Sequence, residues 1–350
     1  MRWPEAHVTA VDFSATSVRH TEELKRKYSL DNLKVRQLAI EDAVDLEMNF
    51  DQIVCTGVLH HLPDPDAGLR ALRSVLHPDG ALHLMVYAPY GRAGIYMLQE
   101  FCKRVGIHAT DENIRDLVEA LKVLPAGHPM KRLLTDAPDF RSDEALADAL
   151  LHPQDRAYSV PQLFHFLESA GLKFGRWVKQ APYSPHCGIL AKIPQASAIA
   201  QLRVEEQYAA AELFRGTMVS HSVIAYRNDN TSSLQATPFA GDFWLRCVPI
   251  RMPDTICIHD RLPPGAAAVL INRTHTFTDL FMPIDSIEKG LFEAIDGTRC
   301  FADIVGRISA DKSQLETMRL FYEKLWWWDQ LVFDASKGNR SSDAIVGESV

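Results

Sequence analysis

The run Val8-Thr9-Ala10-Val11-Asp12-Phe13-Ser14 ends a short apolar stretch on a carboxylate and follows it with a serine suited to capping a helix. An acid at the carboxyl end of a buried strand stands where open α/β sheets bind ligands, and it can accept hydrogen bonds from both hydroxyls of a ribose. The same side chain can equally help cap the helix behind it. A second run, Phe50-Asp51-Gln52-Ile53-Val54-Cys55-Thr56-Gly57-Val58-Leu59-His60-His61-Leu62, closes an apolar stretch on a glycine, where backbone can approach a ligand closely. Two imidazoles follow at once. One of them is a candidate general base, because an unperturbed imidazole titrates at about 6.5 and can take a proton from a hydroxyl or amine nucleophile; the alternative is a structural role at the strand end. No further His, Cys or carboxylate follows His60 and His61 at ligand spacing, so no metal site is predicted. Tyr87, Tyr90 and Arg92 come after another apolar run and are placed to face a substrate, with aromatic packing as the alternative.

These residues need a scaffold, and the apolar patterning supplies one. His7 to Asp12, Leu33 to Leu38, Phe50 to Gly57 and Ala81 to Ala88 read as strands. Helices alternate with them, from Ser14 to about Tyr28 and from Asp66 to Leu76. That alternation predicts a parallel sheet covered on both faces. Leu76-His77-Pro78-Asp79-Gly80-Ala81-Leu82 reads as a helix end, a tight turn and a buried strand. Residues 91–156 are mostly helical and read as an inserted cap. The sheet pattern resumes with Ser159-Val160-Pro161-Gln162, a helix start, then a stop at Gly171, a strand from Leu172 to Lys179, a helix from Ala198 to Phe214 and a last strand, His221 to Tyr226. Residues 1–230 thus form one expected domain and 231–241 a polar linker. Beyond lie β-rich runs at Thr255 to Arg261 and Ala267 to Asn272, helices at Ile287 to Ile295, Phe301 to Ile308 and Gln314 to Trp328, and a closing strand, Leu331 to Phe333. We expect 242–335 to be a winged-helix-like α+β domain and 336–350 a disordered tail. Trp326, Trp327 and Trp328 point in different directions on a helix, so at least one is expected in a core and another is a candidate to pack on the first domain.

Composition narrows the function classes. At 350 residues, one α/β domain plus a smaller partner is the natural division. A net charge of −8 leaves little cationic excess to neutralise a phosphate backbone, which disfavours general nucleic-acid binding. Six cysteines without a C-x-x-C pair fit a reducing cytoplasm, and no apolar stretch reaches the roughly 18 residues that a membrane span needs.

Taken in order, V-T-A-V-D-F-S, F-D-Q-I-V-C-T-G-V-L-H-H-L and L-H-P-D-G-A-L resemble the class I S-adenosylmethionine-dependent methyltransferases. The resemblance covers roughly 1–227 and implies a Rossmann-like doubly wound sheet. It also implies that Asp12 holds the cofactor's ribose, that Phe13 flanks the adenine, and that Thr56 and Gly57 lie beside the methionyl part. The acid that reads the adenine amino group in this family falls at Ala39, so Glu41 or the neighbouring backbone, Ile40 included, is expected to substitute. The family's first strand and its G-x-G-x-G loop have no counterpart, because Met1 matches the end of the first helix. The expected function is methyl transfer from S-adenosylmethionine to a small-molecule or protein acceptor, with further copies of the chain as a candidate partner and His60, His61 and Tyr90 as catalytic candidates. The alternative is an inactive methyltransferase-fold scaffold that binds a partner protein. A nicotinamide dehydrogenase shares the strand-end acid, but the H-H-L and Pro-Asp-Gly elements speak against it. The C-terminal domain is similar to winged-helix modules appended to some bacterial methyltransferases.

Overall fold

The computed structural model describes residues 5–136, 142–152, 154–230, 239, 241–308 and 312–335. Of the expected linker only Phe239 and Gly241 are described, and the expected tail at 336–350 lies outside the described residues. By contacts the chain divides into two units, Met1–Arg176 with Gly216–Thr231, and Trp177–Arg215 with Ser232–Val350.

The first unit opens with strand β1 (Val8–Asp12), helix α1 (Ala15–Lys27) and strand β2 (Leu33–Gln37), with β1 and β2 paired in parallel. Ser14 caps α1 as read from the sequence, its hydroxyl accepting from the amide of Ser17 at 3.3 Å. None of the residues of these three elements is fully buried. Strand β3 (Phe50–Thr56), helix α2 (Pro65–Ser74) and strand β4 (Leu76–Tyr87) follow. β4 alternates buried and half-buried residues, with Leu82, Leu84 and Val86 fully enclosed, as expected for a strand between two others. The expected turn at Pro78-Asp79-Gly80 is instead strand, with a register shift opposite Phe50 and Gln52. Gly80 is what lets it in: a Cβ there would lie 2.9 Å from the carbonyl oxygen of Phe50.

Helices α3 (Ala93–Val105), α4 (Asp111–Lys122), α5 (Pro129–Asp136) and α6 (Asp143–Leu151) form the insertion, with Ile95, Leu98, Leu117, Leu121, Met130 and Leu150 in a core of their own. Helix α7 (Val160–Ser169) begins with a reciprocal capping box between Ser159 and Gln162 and ends before Gly171, whose φ of +73° is a glycine conformation. Strand β5 (Leu172–Trp177), helices α8 (Ala196–Ala200) and α9 (Val204–Arg215), and strand β6 (Ser220–Arg227) complete this stretch.

Two expectations are corrected here. The sheet is not wholly parallel: the order is β3-β4-β6-β5, and β6 runs antiparallel to β4. The chain re-enters beside the carboxyl end of β4, where the amide of Ala88 bonds the carbonyl of Val219, and so can only run back along it. Second, 1–230 is not one unit. Trp177–Arg215 clusters with the C-terminal region, because the amide of Gln180 bonds the Asp329 carboxylate, the Arg215 guanidinium grips Asp279 at 3.1 and 3.2 Å, and Cys187 packs with Leu280.

The second unit continues with β7 (Val248–Arg251), β8 (Thr255–Ile258), β9 (Ala268–Asn272), β10 (Phe281–Ile284), helices α10 (Ser286–Glu293), α11 (Phe301–Ile308) and α12 (Lys312–Trp327), and β11 (Leu331–Asp334). β10-β9-β8 is an antiparallel sheet, and β11 pairs antiparallel with β7. Trp244, Phe301, Tyr322, Leu325 and Trp326 centre its core. Trp327 and Trp328 lie partly buried against Ala181, Cys187 and Leu280 of the same unit. Among the described residues no helix is long and apolar enough to cross a membrane.

Candidate functional site

A cavity of about 900 Å³ opens in the first unit, lined on one side by β1 and the turns that follow β1 and β2, and on the other by β3 and the segment behind it. β1 is hydrogen-bonded only to β2, and β3 only to β4, among the described residues. Their remaining edges both line this cavity, Thr9 to Asp12 from one and Gln52 to Thr56 from the other.

Asp12, Phe13, Ile40, Glu41 and Thr56 all line it, five of the six residues assigned to the cofactor. Gly57 does not, although both its neighbours do; with a φ of +76° it turns the chain between them. Both sequence-level roles of Asp12 are compatible with its geometry. One carboxylate oxygen accepts from the amide of Ser14 at 2.7 Å, which is the capping role, and none of the described residues is bonded to the other oxygen. The Phe13 ring is 79% exposed, an uncommon state for so large an apolar side chain at a cavity rim.

The paired histidines diverge. His61 lines the cavity, and its Nδ1 lies 2.9 Å from the carbonyl oxygen of Gln154. A carbonyl only accepts, so Nδ1 carries the proton and the lone pair of the neutral ring stays on Nε2. His60 is 1% exposed and is absent from the lining of this cavity, and among the described residues neither ring nitrogen has a hydrogen-bond partner. Burial, then the neighbouring His61, Arg92 and His152, pushes its pKa down to about 3. Its ring packs against that of Tyr87, tilted by 37° with centres 3.8 Å apart, and lies 4.3 Å from that of His61, which in turn contacts His152 at 4.2 Å. Tyr90, the third catalytic candidate, is exposed and is not among the lining residues.

Behind the histidines lies a group that sequence reasoning largely missed. The Arg92 guanidinium sits 3.4 Å from the centre of the Tyr87 ring and donates to Asp155 at 3.2 Å, with both side chains buried. Gln99 also donates to Asp155, at 3.0 Å, while the second oxygen of Asp155 is buried without a partner. Arg92 had been picked out by its place after β4, but nothing local marked His152 or Asp155. They arrive through the return path of the insertion, where the amide of Arg156 bonds the carbonyl of His60 and that of Tyr158 bonds Tyr87. Among the described residues no group of three or more His, Cys, Asp or Glu is placed to hold a metal ion.

Known proteins share parts of this sequence and its fold. Residues 2–82 match a family model described as a methyltransferase domain. A 178-residue stretch is 39% identical to an uncharacterized protein of Synechococcus, covering 49% of this chain and 42% of that protein. A stretch of 83 residues is 36% identical to the ubiquinone biosynthesis O-methyltransferase of Xanthomonas euvesicatoria, covering 23% of this chain and 33% of that enzyme. The matches thus span less than half the length of these curated relatives. Among solved structures, PKMT2 from Rickettsia typhi superposes over 96% of this chain and 68% of its own, with a TM-score of 0.65 at 14% identity, and it has also been solved in complex with AdoHcy. Residues 2–82 thus match a methyltransferase domain, and the chain shares the fold of PKMT2.

Proposed function

We propose that this chain is an S-adenosylmethionine-dependent methyltransferase whose cofactor occupies the cavity beside β1 and β3, and whose acceptor is a small molecule or a protein side chain. The observation that carries this reading is the convergence of Asp12, Phe13, Ile40, Glu41 and Thr56 on one hollow from three separate strand ends. Its volume suits a nucleoside-sized ligand, since small-molecule pockets run from about 300 to 1,000 Å³. The free oxygen of Asp12 would accept from the ribose hydroxyls, Phe13 would cover the adenine, and Ile40 and Glu41 would border it. Thr56 and Gly57 would lie along the methionyl part. When bound, the cofactor supplies an electrophilic methyl group on a sulfonium.

The protein's contribution is then alignment and, for an acceptor that must lose a proton, a base. We assign the base to Nε2 of His61, whose lone pair is set by the bond from Nδ1 to Gln154. His60 braces it and stays neutral, because burial removes its capacity to hold a proton near pH 7. The insertion carrying α3 to α6 is read as the cap that selects the acceptor. The domain is read as a Rossmann-like layer, supported by the parallel pairing of β1 with β2 and of β3 with β4. The winged-helix assignment of the second unit rests on α10 to α12 followed by β11. The six free cysteines fit a reducing, cytoplasmic setting.

Isothermal titration with S-adenosylhomocysteine is the test. We expect saturable binding, weakened at least about tenfold by Asp12→Ala, which removes a charge-assisted contact from an exposed residue. The absence of binding at millimolar ligand, or equal affinity in the variant, would sink the assignment.

A further inference from the structure

The second unit holds a cavity of its own, about 530 Å³, against one face of the sheet β10-β9-β8. The register shows why that face is available. Ile258 lies opposite Val269, and Ile271 opposite Phe281, so these four share a side and line the cavity. Ala268, Leu270, Met282 and Ile284, at the alternate positions of the same strands, point the other way, into the core beneath α10 to α12. The segment between β9 and β10 closes the cavity over, and it is tied down at several points. Asn272 accepts from the amide and hydroxyl of Thr274, the Arg215 guanidinium lies 4.4 Å from the centre of the Phe277 ring, and Asp279 takes Arg215 and the amide of Ile189. The cavity is thus held open by fixed walls rather than by a loose loop.

One polar group in its lining is built in a way that packing alone does not require. The side chain of His275 is 2% exposed, and its Nε2 lies 3.0 Å from the Asp329 carboxylate. That carboxylate also accepts from the amides of Gln180 and Ala181, each at 2.9 Å, while the backbone carbonyl of Asp329 accepts from Asn272 at 2.6 Å. Asp329 is held at a φ of +54°, a strained conformation for a residue with a side chain. Fastening α12 to this segment needs only Nε2. Nδ1 is left buried with no partner, in a residue that lines the cavity. With the Nε2 proton given to the carboxylate, Nδ1 is an acceptor awaiting a donor.

We propose that this cavity is a second ligand site, distinct from the methyl-transfer cavity, for a small apolar molecule carrying one hydroxyl, such as a phenol, whose O–H donates to Nδ1 of His275, brought to the cavity surface by a shift of the ring on binding, while its body lies on Ile258, Val269, Ile271 and Phe281. A hydroxyl meets the neutral ring without proton uptake. A carboxylate would need the imidazolium at His275, and the two charges in the lining, Asp260 and Arg261, offset one another. The proposal does not depend on the chain being a methyltransferase.

The test uses the full chain and three probes of one shape: p-cresol, toluene and p-toluate. Methyl-resolved NMR titration should show p-cresol shifting the methyls of Ile258, Val269 and Ile271, with affinity about tenfold above that of toluene. His275→Phe should bring the two probes level. Should that variant fail to fold, Ile271→Phe fills the space and leaves the Asp329–His275 pair intact, and it should weaken both probes together. Equal affinity for p-cresol and toluene in the native protein, tighter binding of p-toluate, or shifts confined to residues outside 256–283 would each overturn the proposal.

Discussion

His60 and His61 have the same side chain on adjacent residues, yet their environments give them opposite chemistry. His61 keeps an oriented lone pair at the cavity wall; His60 is enclosed between Tyr87 and its own neighbour. A folded-state pKa of about 3 against an ordinary 6.5 has a definite sign. As pH falls, the unfolded chain takes up this proton first, so the stability tied to a neutral His60 is complete above about 6.5 and is lost progressively towards 3. The amount at stake is on the order of a few kcal/mol. Denaturant melts between pH 7 and pH 4 should therefore show a steeper loss in the native protein than in His60→Phe, which has nothing to protonate. Parallel slopes would mean that His60 is more open to water than its packing indicates. Arg92 poses the complementary case. Its charge is buried against Asp155, and Asp155→Ala strands that charge at a cost of about 3–5 kcal/mol, whereas Arg92→Met with Asp155→Leu together should cost much less. Thermal unfolding of the single and double variants reads the difference directly.

At the level of elements, glycines separate positions where backbones meet from positions where nothing does. Gly91 starts the insertion with its amide bonded to the carbonyl of Met218, and a Cβ there would fall 2.2 Å from that oxygen. Gly91→Ala should destabilise by about 1–3 kcal/mol, because the atom that obstructs it is main chain and cannot swing aside. Gly290, inside α10, has open space around it, so the same substitution should stabilise by up to about 1 kcal/mol through helix propensity. Opposite shifts in melting temperature are the expected outcome, and shifts of one sign would contradict the packing described for Gly91. The same distinction between local and distant information explains what the sequence disclosed. β1, β2 and β3 were legible to within a residue or two, because each is an apolar run closed by its own polar or glycine boundary. The capping box of α7 was equally local. The direction of β6 was not legible, since it depends on which end of β4 the chain returns to. Nor was the allegiance of Trp177–Arg215, decided by Gln180 on Asp329 and Arg215 on Asp279, partners that lie far apart in sequence. The residues proposed to hold the cofactor fell in the legible part because strand ends are local features; His152 and Asp155 fell outside it because only the folded insertion brings them to His61 and Arg92.

Across the whole molecule the cysteines offer a way to watch both units at once. Cys55, Cys102, Cys187 and Cys247 are buried, while Cys257 and Cys300 are partly exposed. Burial pushes the Cys55 and Cys187 thiols up to about 12 and Cys247 to about 11, so at pH 8 very little of any of them is thiolate, the form that reacts. A disulfide reagent should therefore modify Cys257 and Cys300 quickly and the buried four only as fast as the surrounding structure opens, with all six reacting in denaturant. The slow phase also resolves by place. Cys55 belongs to β3 and lines the proposed cofactor cavity, whereas Cys187 and Cys247 belong to the second unit. A ligand that binds only the closed state stabilises it by mass action, so saturating S-adenosylhomocysteine should slow the labelling of Cys55 at least about tenfold. Labelling of Cys187 and Cys247, followed by peptide mass analysis, should change little if the second unit opens on its own account. Uniform slowing at all three would show instead that both units open in one cooperative event, and no slowing at Cys55 would remove the cofactor from the cavity between β1 and β3.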